Sequence, residues 1–409
     1  MSTPARTLRA EPRRRWRAFE RVALAMLDRA LPELEGGTLE VALPGGTTRR
    51  FGAGPPVRMT VHDGALLGRL ASRGKLGLGE SYQAAEWDAD DLVALFELLL
   101  ANADAAAERH PRLRQLLDAK PRVRRRNGLA RSRRNIAYHY DLGNDLFALM
   151  LDETMTYSCA VFEHDGESLA DAQRRKLRRI AGALELSPAD HVLEIGCGWG
   201  SFALIAAGEY GARVTALTIS AEQAALARRR VAAAGLDGLV EIREQDYRLV
   251  EGSFSKVASI EMLEAIGERQ FGTYFASIDR VLAPGGRACV QTILVPDRRY
   301  ERYRRSPDWI ERYVFPGCLI PSVSALTVAM RRSSRLNLVG LDEIGPHYAE
   351  TLRQWRLRFE SRLDEVRALG YDARFERTWR FYLSFCEAAF RTRQLRDAQL
   401  LLARPGEPC

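Results

Sequence analysis

The sequence predicts an α/β protein: a doubly wound, mostly parallel sheet, preceded by a smaller α+β domain and carrying helical lid insertions. Three observations predict it. From about residue 136 onward, short β-rich runs ("HVLEIG", "ARVTALTI", "LVEIREQD", "FSKVASIEM", "RACVQTILV") take turns with helical patterns, as crossover-connected parallel strands do. The first of these runs feeds directly into a glycine loop, "GCGWG", and then a helix. With 409 residues and 46% hydrophobic content, the chain is too long for one small domain and apolar enough to bury a full core, so two domains are expected.

The opening stretch "MSTPARTLRAEPRRRWRAFERV" carries charge with no uninterrupted apolar segment behind it, so it does not read as a secretory signal. "TLEVALPGGTTRRF" alternates apolar and polar residues on both sides of Pro44-Gly45-Gly46, the pattern of a hairpin. "DADDLVALFELLLANADAAAERH" begins with acidic capping residues and continues with leucines at helical spacing. Residues 1–120 are therefore an N-terminal domain without catalytic signals, suited to lipid or dimer contact. The basic run that follows, residues 121–135, reads as a linker, and residues 136–409 as the catalytic domain.

Within that domain, "YVFPGCLIPSVSALTVAM" (residues 313–330) runs uncharged, but its two prolines and its glycine argue against a membrane span and for an apolar loop lining a greasy pocket. Further on, Leu352, Trp355, Phe359, Leu363 and Val366 share one helical face, and Trp379, Leu383, Cys386 and Phe390 another. Each stripe fits core packing, with a lid over an apolar ligand as the alternative.

The net charge of +8 is clustered, which suits an anionic partner such as a phospholipid surface or nucleic acid. Leu177, Ile180, Ala181 and Leu184 mark the apolar face of a helix whose Arg175, Arg178 and Arg179 form a basic stripe. With Arg122, Arg124, Arg125, Arg126, Arg131, Arg133 and Arg134, that stripe could hold an anionic bilayer, or be a solvated face. Six cysteines without a CxxC pair or metal-ligand spacing fit a reducing cytoplasm and no metal site.

Gly196, Gly198 and Gly200 form G-x-G-x-G between the strand "VLEI" and the helix "SFALIAAGEY". A dinucleotide fingerprint wants G-x-G-x-x-G, whereas position 201 is serine, and Glu194 opposes a pyrophosphate. An acid there can help hold an amino group, as in the amino-acid end of S-adenosylmethionine (SAM). Dinucleotides and a purely structural turn are the alternatives. Thr218 and Ile219 end the next strand, Gln223 follows one turn into its helix, and Asp246 and Tyr247 end the strand after that. Polar residues at successive strand ends are what a ribose and an adenine require.

"NIAYHYDLGNDLFALMLDETMTYSCAVFEHDGESLADAQRRKL", "VLEIGCGWGSFALIAA", "LTISAEQ", "EQDYR", "SIEMLEAIG" and "YVFPGCLIPS" together resemble the cyclopropane-fatty-acyl-phospholipid synthase family, including its relatives that make methyl-branched lipids. The resemblance covers residues 135 to about 395 closely and residues 1–120 more weakly, through "GKLGLGESY". It implies a seven-strand, Rossmann-like SAM-dependent methyltransferase domain that alkylates a cis double bond of an unsaturated phospholipid acyl chain.

By motif, the resemblance places Tyr157, Ser158, Gly196, Gly198, Thr218, Ile219, Gln223, Asp246, Tyr247 and Ile260 on SAM, with the Tyr140 ring near the sulfonium. It also implies a bicarbonate base held by Cys159, Glu264, the backbone around Ile293, and Tyr348. Set apart from the motifs, Cys159 reads as a small buried residue, Glu264 as a solvated helix acid, and Tyr348 and Tyr140 as packing.

One position departs from the family. Gln291 stands in "QTI" where the family's strand usually has histidine, and glutamine can donate a hydrogen bond but cannot carry charge or shuttle a proton. The departure bears on bicarbonate binding and on the product, cyclopropane or methylene branch. A methylene branch would call for a reductase partner. The expected setting is the inner face of the membrane, peripherally bound from the cytoplasm, as a homodimer and without nucleic acid. Rivals are a nucleic-acid or small-molecule methyltransferase and a binding module with a vestigial SAM site.

Overall fold

The computed structural model describes residues 34–109 and 143–406 apart from position 307, together with isolated positions 24, 25 and 28. The linker, its arginines and Tyr140 lie outside the described residues. The chain divides into two compact units, residues 1–119 and 120–409.

In the first unit, β1 (Gly37–Ala42) pairs antiparallel with β2 (Thr48–Ala53) from Gly37↔Ala53 to Ala42↔Thr48, so the Pro44-Gly45-Gly46 hairpin forms as the alternation requires. β3 (Pro56–Val61) lies parallel to β1, and β4 (Trp87–Ala89) closes a four-stranded sheet in the order β2-β1-β3-β4. Helices α1 (Ala65–Arg73) and α2 (Lys75–Gln83) meet at Gly77, where a Cβ would stand 2.3 Å from the Arg69 carbonyl oxygen; only glycine permits that approach. The leucine-rich segment forms α3 (Leu92–Arg109), which buries Leu95 and Phe96.

The second unit begins with α4 (Asn144–Met150) and α5 (Leu169–Ala183), then enters a seven-stranded sheet. Its strands are β5 (His191–Ile195), β6 (Arg213–Thr218), β7 (Val240–Glu244), β8 (Phe254–Ile260), β9 (Leu282–Leu294), β10 (Asn337–Glu343) and β11 (Arg396–Ala403), in the spatial order β10-β11-β9-β8-β5-β6-β7. β5 to β9 are parallel, whereas β11 runs antiparallel between β9 and β10. The period-2 pattern sorts the core: Val192 and Val214 pack under α5 and the helix Ser201–Tyr210, while Leu193 and Leu217 pack on the other face with Phe275 and Ile278.

Two expectations need correction. The five β-rich runs picked out by their pattern leave out β10 and β11, because a short run such as "LLLA" is compatible with either element until its neighbours are known. Residues 313–330 are a loop only in part, since Val323–Ser333 forms a helix that buries Leu326 and Met330 in the core. The first C-terminal stripe is split: Leu352, Trp355 and Phe359 lie on the helix Gly345–Ser361, whereas Leu363 and Val366 lie on a separate short helix, Leu363–Ala368; the second stripe forms the helix Ala373–Arg391, which packs on Gly345–Ser361. Among the described residues, no helix is long and apolar enough to cross a membrane.

Candidate functional site

The carboxyl ends of β5, β6, β8 and β9 surround a cavity of about 280 Å³. At its first end the chain leaves β5 through Gly196, Gly198 and Gly200, with φ of 82°, 53° and 84°, a run of left-handed backbone that glycine adopts at least cost. The N–H groups of Gly196 and Cys197 both donate to the Leu217 carbonyl, at 3.0 and 2.8 Å, which ties the loop to the end of β6. A Cβ on Gly196 would stand 2.7 Å from Met262 Cγ, whereas one on Gly198 would meet nothing within 4 Å. The loop is thus packed from behind and bare toward the cavity.

Glu194 lines the same end and is buried, and its Oε2 has no hydrogen-bond partner. Burial pushes its carboxyl up to about 8, while Lys176 and the Ala203 backbone pull it back. Thr218 donates to Gln223 Oε1 at 2.8 Å, and Asp246 caps the following turn and pairs with Arg248 at 2.6 Å. Tyr157, Ser158, Ile219, Tyr247 and Ile260 complete this part of the wall, so every described residue expected to touch SAM lines one cavity. An orphaned carboxylate beside a bare glycine loop, with a hydroxyl, an amide and a second carboxylate at successive strand ends, fits an amino-acid group joined to a nucleoside.

The other end is a cluster of buried carboxyls. β9 ends in Gln291, Thr292 and Ile293, and antiparallel β11 starts beside it, bringing Asp397 opposite Ile293. The short turn after β8 supplies Glu261 and Glu264. Glu264 Oε1 accepts the Thr292 hydroxyl at 2.7 Å and the Ile293 N–H, leaving Oε2 without a partner. Burial, and then the Glu261 charge, push the Glu264 carboxyl up to about 8. Glu261 Oε1 accepts the Cys159 N–H and the Gln291 Nε2–H, each at 2.8 Å, and its Oε2 accepts the Tyr348 hydroxyl at 2.6 Å.

Cys159 therefore contributes its backbone to this cluster. Its fully buried thiol is raised well above its usual range by burial and by Asp397 and Glu261, and donates to the Ala160 and Ile344 carbonyls. Behind it, Lys176 donates to the Ser158 hydroxyl at 2.7 Å, and burial lowers its ammonium to about 8.

An apolar wall joins the two ends. Phe315, Ile320, Leu352 and Phe390 line the cavity with Tyr157 and Tyr382, whose hydroxyls meet at 2.8 Å. Both C-terminal helices thus serve core and cavity at once. Sequence reasoning missed Glu261, Lys176, Asp397 and Tyr382. Glu261 had a signal, a second acid three residues before Glu264 in "SIEMLEAIG"; Lys176 was hidden in "RRKLRR" and Asp397 in a segment with no motif.

The arginine stripe has acidic partners throughout: Arg175 pairs with Glu163 and Glu167, Arg178 with Glu209, and Arg179 with Asp342.

The profile of the family described as mycolic acid cyclopropane synthetase matches residues 128–400. The chain belongs to that family. It is 42% identical to the tuberculostearic acid methyltransferase UfaA1 of Mycobacterium tuberculosis, over 84% of this chain and 82% of the relative. It is 36% identical to the cyclopropane-fatty-acyl-phospholipid synthase of Escherichia coli strain K12, over 86% and 89%. The cyclopropane synthase MmaA2 of M. tuberculosis superposes with a TM-score of 0.62 at 27% identity, covering 66% of this chain and 98% of that one. The mycolic acid cyclopropane synthase CmaA1, solved with SAH and CTAB, gives the same score and identity over 66% and 97%. As a family member, the protein is a SAM-dependent methyltransferase of the lipid-modifying class, and the seven-strand sheet is the class I methyltransferase fold.

Proposed function

We propose that the protein transfers a methyl group from SAM to the cis double bond of an unsaturated phospholipid acyl chain, giving a methylene-branched product that a separate reductase would convert to a methyl branch. The observation that carries this reading is the single cavity that runs from the glycine loop to an aliphatic and aromatic wall. Its aliphatic part, Ile320 and Leu352, suits an acyl chain. SAM supplies an electrophilic methyl on a sulfonium. The chain's own part is to hold it at the strand ends, exclude water, and line the place where positive charge develops on the acyl chain with Tyr157, Phe315 and Tyr382.

Two features favour the branched product over the cyclopropane. Gln291 replaces the family histidine, and the 42% identical relative is named for tuberculostearic acid, a methyl-branched lipid. The substrate places the enzyme at a membrane surface, bound peripherally.

The test is to incubate purified protein with SAM and vesicles of oleoyl phospholipid, and then examine the released fatty acids by proton NMR. The terminal =CH₂ protons of a methylene branch are expected. Upfield ring protons would replace the branched product with the cyclopropane, and unchanged oleate with unconsumed SAM would sink the reading altogether.

A further inference from the structure

Three donors expected to hold a bicarbonate base are the Cys159 segment, position 291 and Tyr348. All three donate to the Glu261 carboxylate, at 2.8, 2.8 and 2.6 Å. Position 291 has no capacity to spare. Gln291 is fully buried, its Nε2 also faces the Cys159 carbonyl at 3.4 Å and Asp397 Oδ2 at 3.3 Å, and its Oε1 accepts from Gln399 at 3.2 Å.

The backbone gives an independent observation. Glu261 has φ of 49°, one of five positive-φ non-glycine residues among those described, at a place where glycine would fit without strain. Strained residues persist only where the surrounding structure over-determines them, and they cluster at active sites. Here the strain aims a carboxylate into the donor set, where it lines the cavity beside Glu264 and Tyr348. Asp397 faces it across Gln291, and its carboxyl is pushed up by burial and then by the Glu261 charge.

We propose that Glu261 is a built-in replacement for the bicarbonate base: its carboxylate occupies the ion's position and takes the proton released after methyl transfer. The proposal rests on the lipid-alkylation reading above. The double-bond pair forms the new C–C bond while the S–CH₃ pair stays on sulfur. A hydride shifts from the methylated carbon to the neighbouring cation. The new cation is quenched when a methyl C–H pair becomes the double bond of the methylene branch and the proton passes to Glu261. Gln291 is then a positioning residue, whose amide orients the carboxylate.

The experiment compares wild type, Glu261→Gly and Glu261→Gln. Glycine suits the backbone at position 261, so the first variant folds; the second keeps the side-chain shape. Binding of ¹³C-labelled bicarbonate is followed by saturation-transfer NMR. No saturable binding is expected for wild type or Glu261→Gln, and a new site for Glu261→Gly.

Turnover is followed in carbon-dioxide-free buffer with and without added bicarbonate. Wild type should be indifferent to the ion. Both variants should lose about 100-fold, the usual worth of a general base, and bicarbonate should restore Glu261→Gly about 10-fold and leave Glu261→Gln slow. Their affinity for SAM by calorimetry should match wild type. Saturable bicarbonate binding by wild type, or full turnover of Glu261→Gly without the ion, overturns the proposal. Should wild type alkylate no lipid, the function fails, and the bicarbonate-binding contrast still decides who fills the donor set.

Discussion

The two ends of the cavity are built in opposite ways. The glycine-loop end comes from consecutive strand ends, each a local motif: "GCGWG" after β5, "TIS" after β6, "QDY" after β7. The carboxylate end gathers residues 159, 176, 261, 291, 348 and 397 from separate segments joined by no single motif, with Asp397 brought in by the antiparallel insertion of β11 beside β9. The first end depends on backbone shape and should fail when a Cβ is added. The second depends on hydrogen bonds to buried charge and should fail when a donor is deleted, with the cofactor still bound.

Four substitutions sharpen or break that contrast. Gly196→Ala should have the largest effect, because its Cβ meets Met262 at 2.7 Å on left-handed backbone. Loss of loop shape costing a few kcal/mol weakens SAM binding by about 100-fold in calorimetry. A fall of less than threefold would show that the loop does not hold the cofactor.

Tyr348→Phe deletes a donor to Glu261 and nothing at the glycine loop. A hydrogen bond to a charged group contributes about 1.5–3 kcal/mol, so turnover should drop roughly 10-fold or more while the SAM affinity stays constant. Equal losses in both quantities would break the separation of the two ends.

Glu194→Gln should weaken SAM by about 10-fold, again near the worth of one charge-assisted hydrogen bond. Its protonation gives a second readout. A carboxyl held near 8 in the fold, against an ordinary 4.5, is protonated at neutral pH, so binding an ammonium there should release a proton, seen as a buffer-dependent binding enthalpy that the variant loses.

The folded chain holds protons at Glu194 and Glu264 that the unfolded chain gives up. Their contribution is therefore fully present below about pH 4.5 and is lost as pH rises toward 8. The Tm of the SAM-free protein should fall across that window, and less steeply in Glu194→Gln. A flat profile would mean that these carboxyls are already ionised in the fold.

Arg178→Glu should do least. Because Arg178 already pairs with Glu209, co-sedimentation with anionic vesicles should change by less than about twofold, in line with the small worth of exposed ion pairs. A large loss would make the stripe a docking surface after all.

The sequence by itself determined the parallel half of the sheet and the glycine-loop end of the cavity. Strand alternation and left-handed glycines are local properties of the backbone, legible wherever "VLEIGCGWG" is written. It also marked Gln291 as a departure, because one residue type can be compared with another without knowing its neighbours. Tertiary structure alone decided the rest. "RDAQLLLA" became a strand because β9 and β10 offered it edges on both sides, and only then did Asp397 come to face Ile293. Lys176 differs from the surrounding arginines only in where the helix turns it: it is fully buried, while Arg178 and Arg179 lie at the surface. Likewise Glu261 is one acid among many until Cys159, Gln291 and Tyr348 arrive from three distant segments. Hydrogen bonds between residues 30, 87 and 102 positions apart have no periodicity in the chain, so only folding can write them.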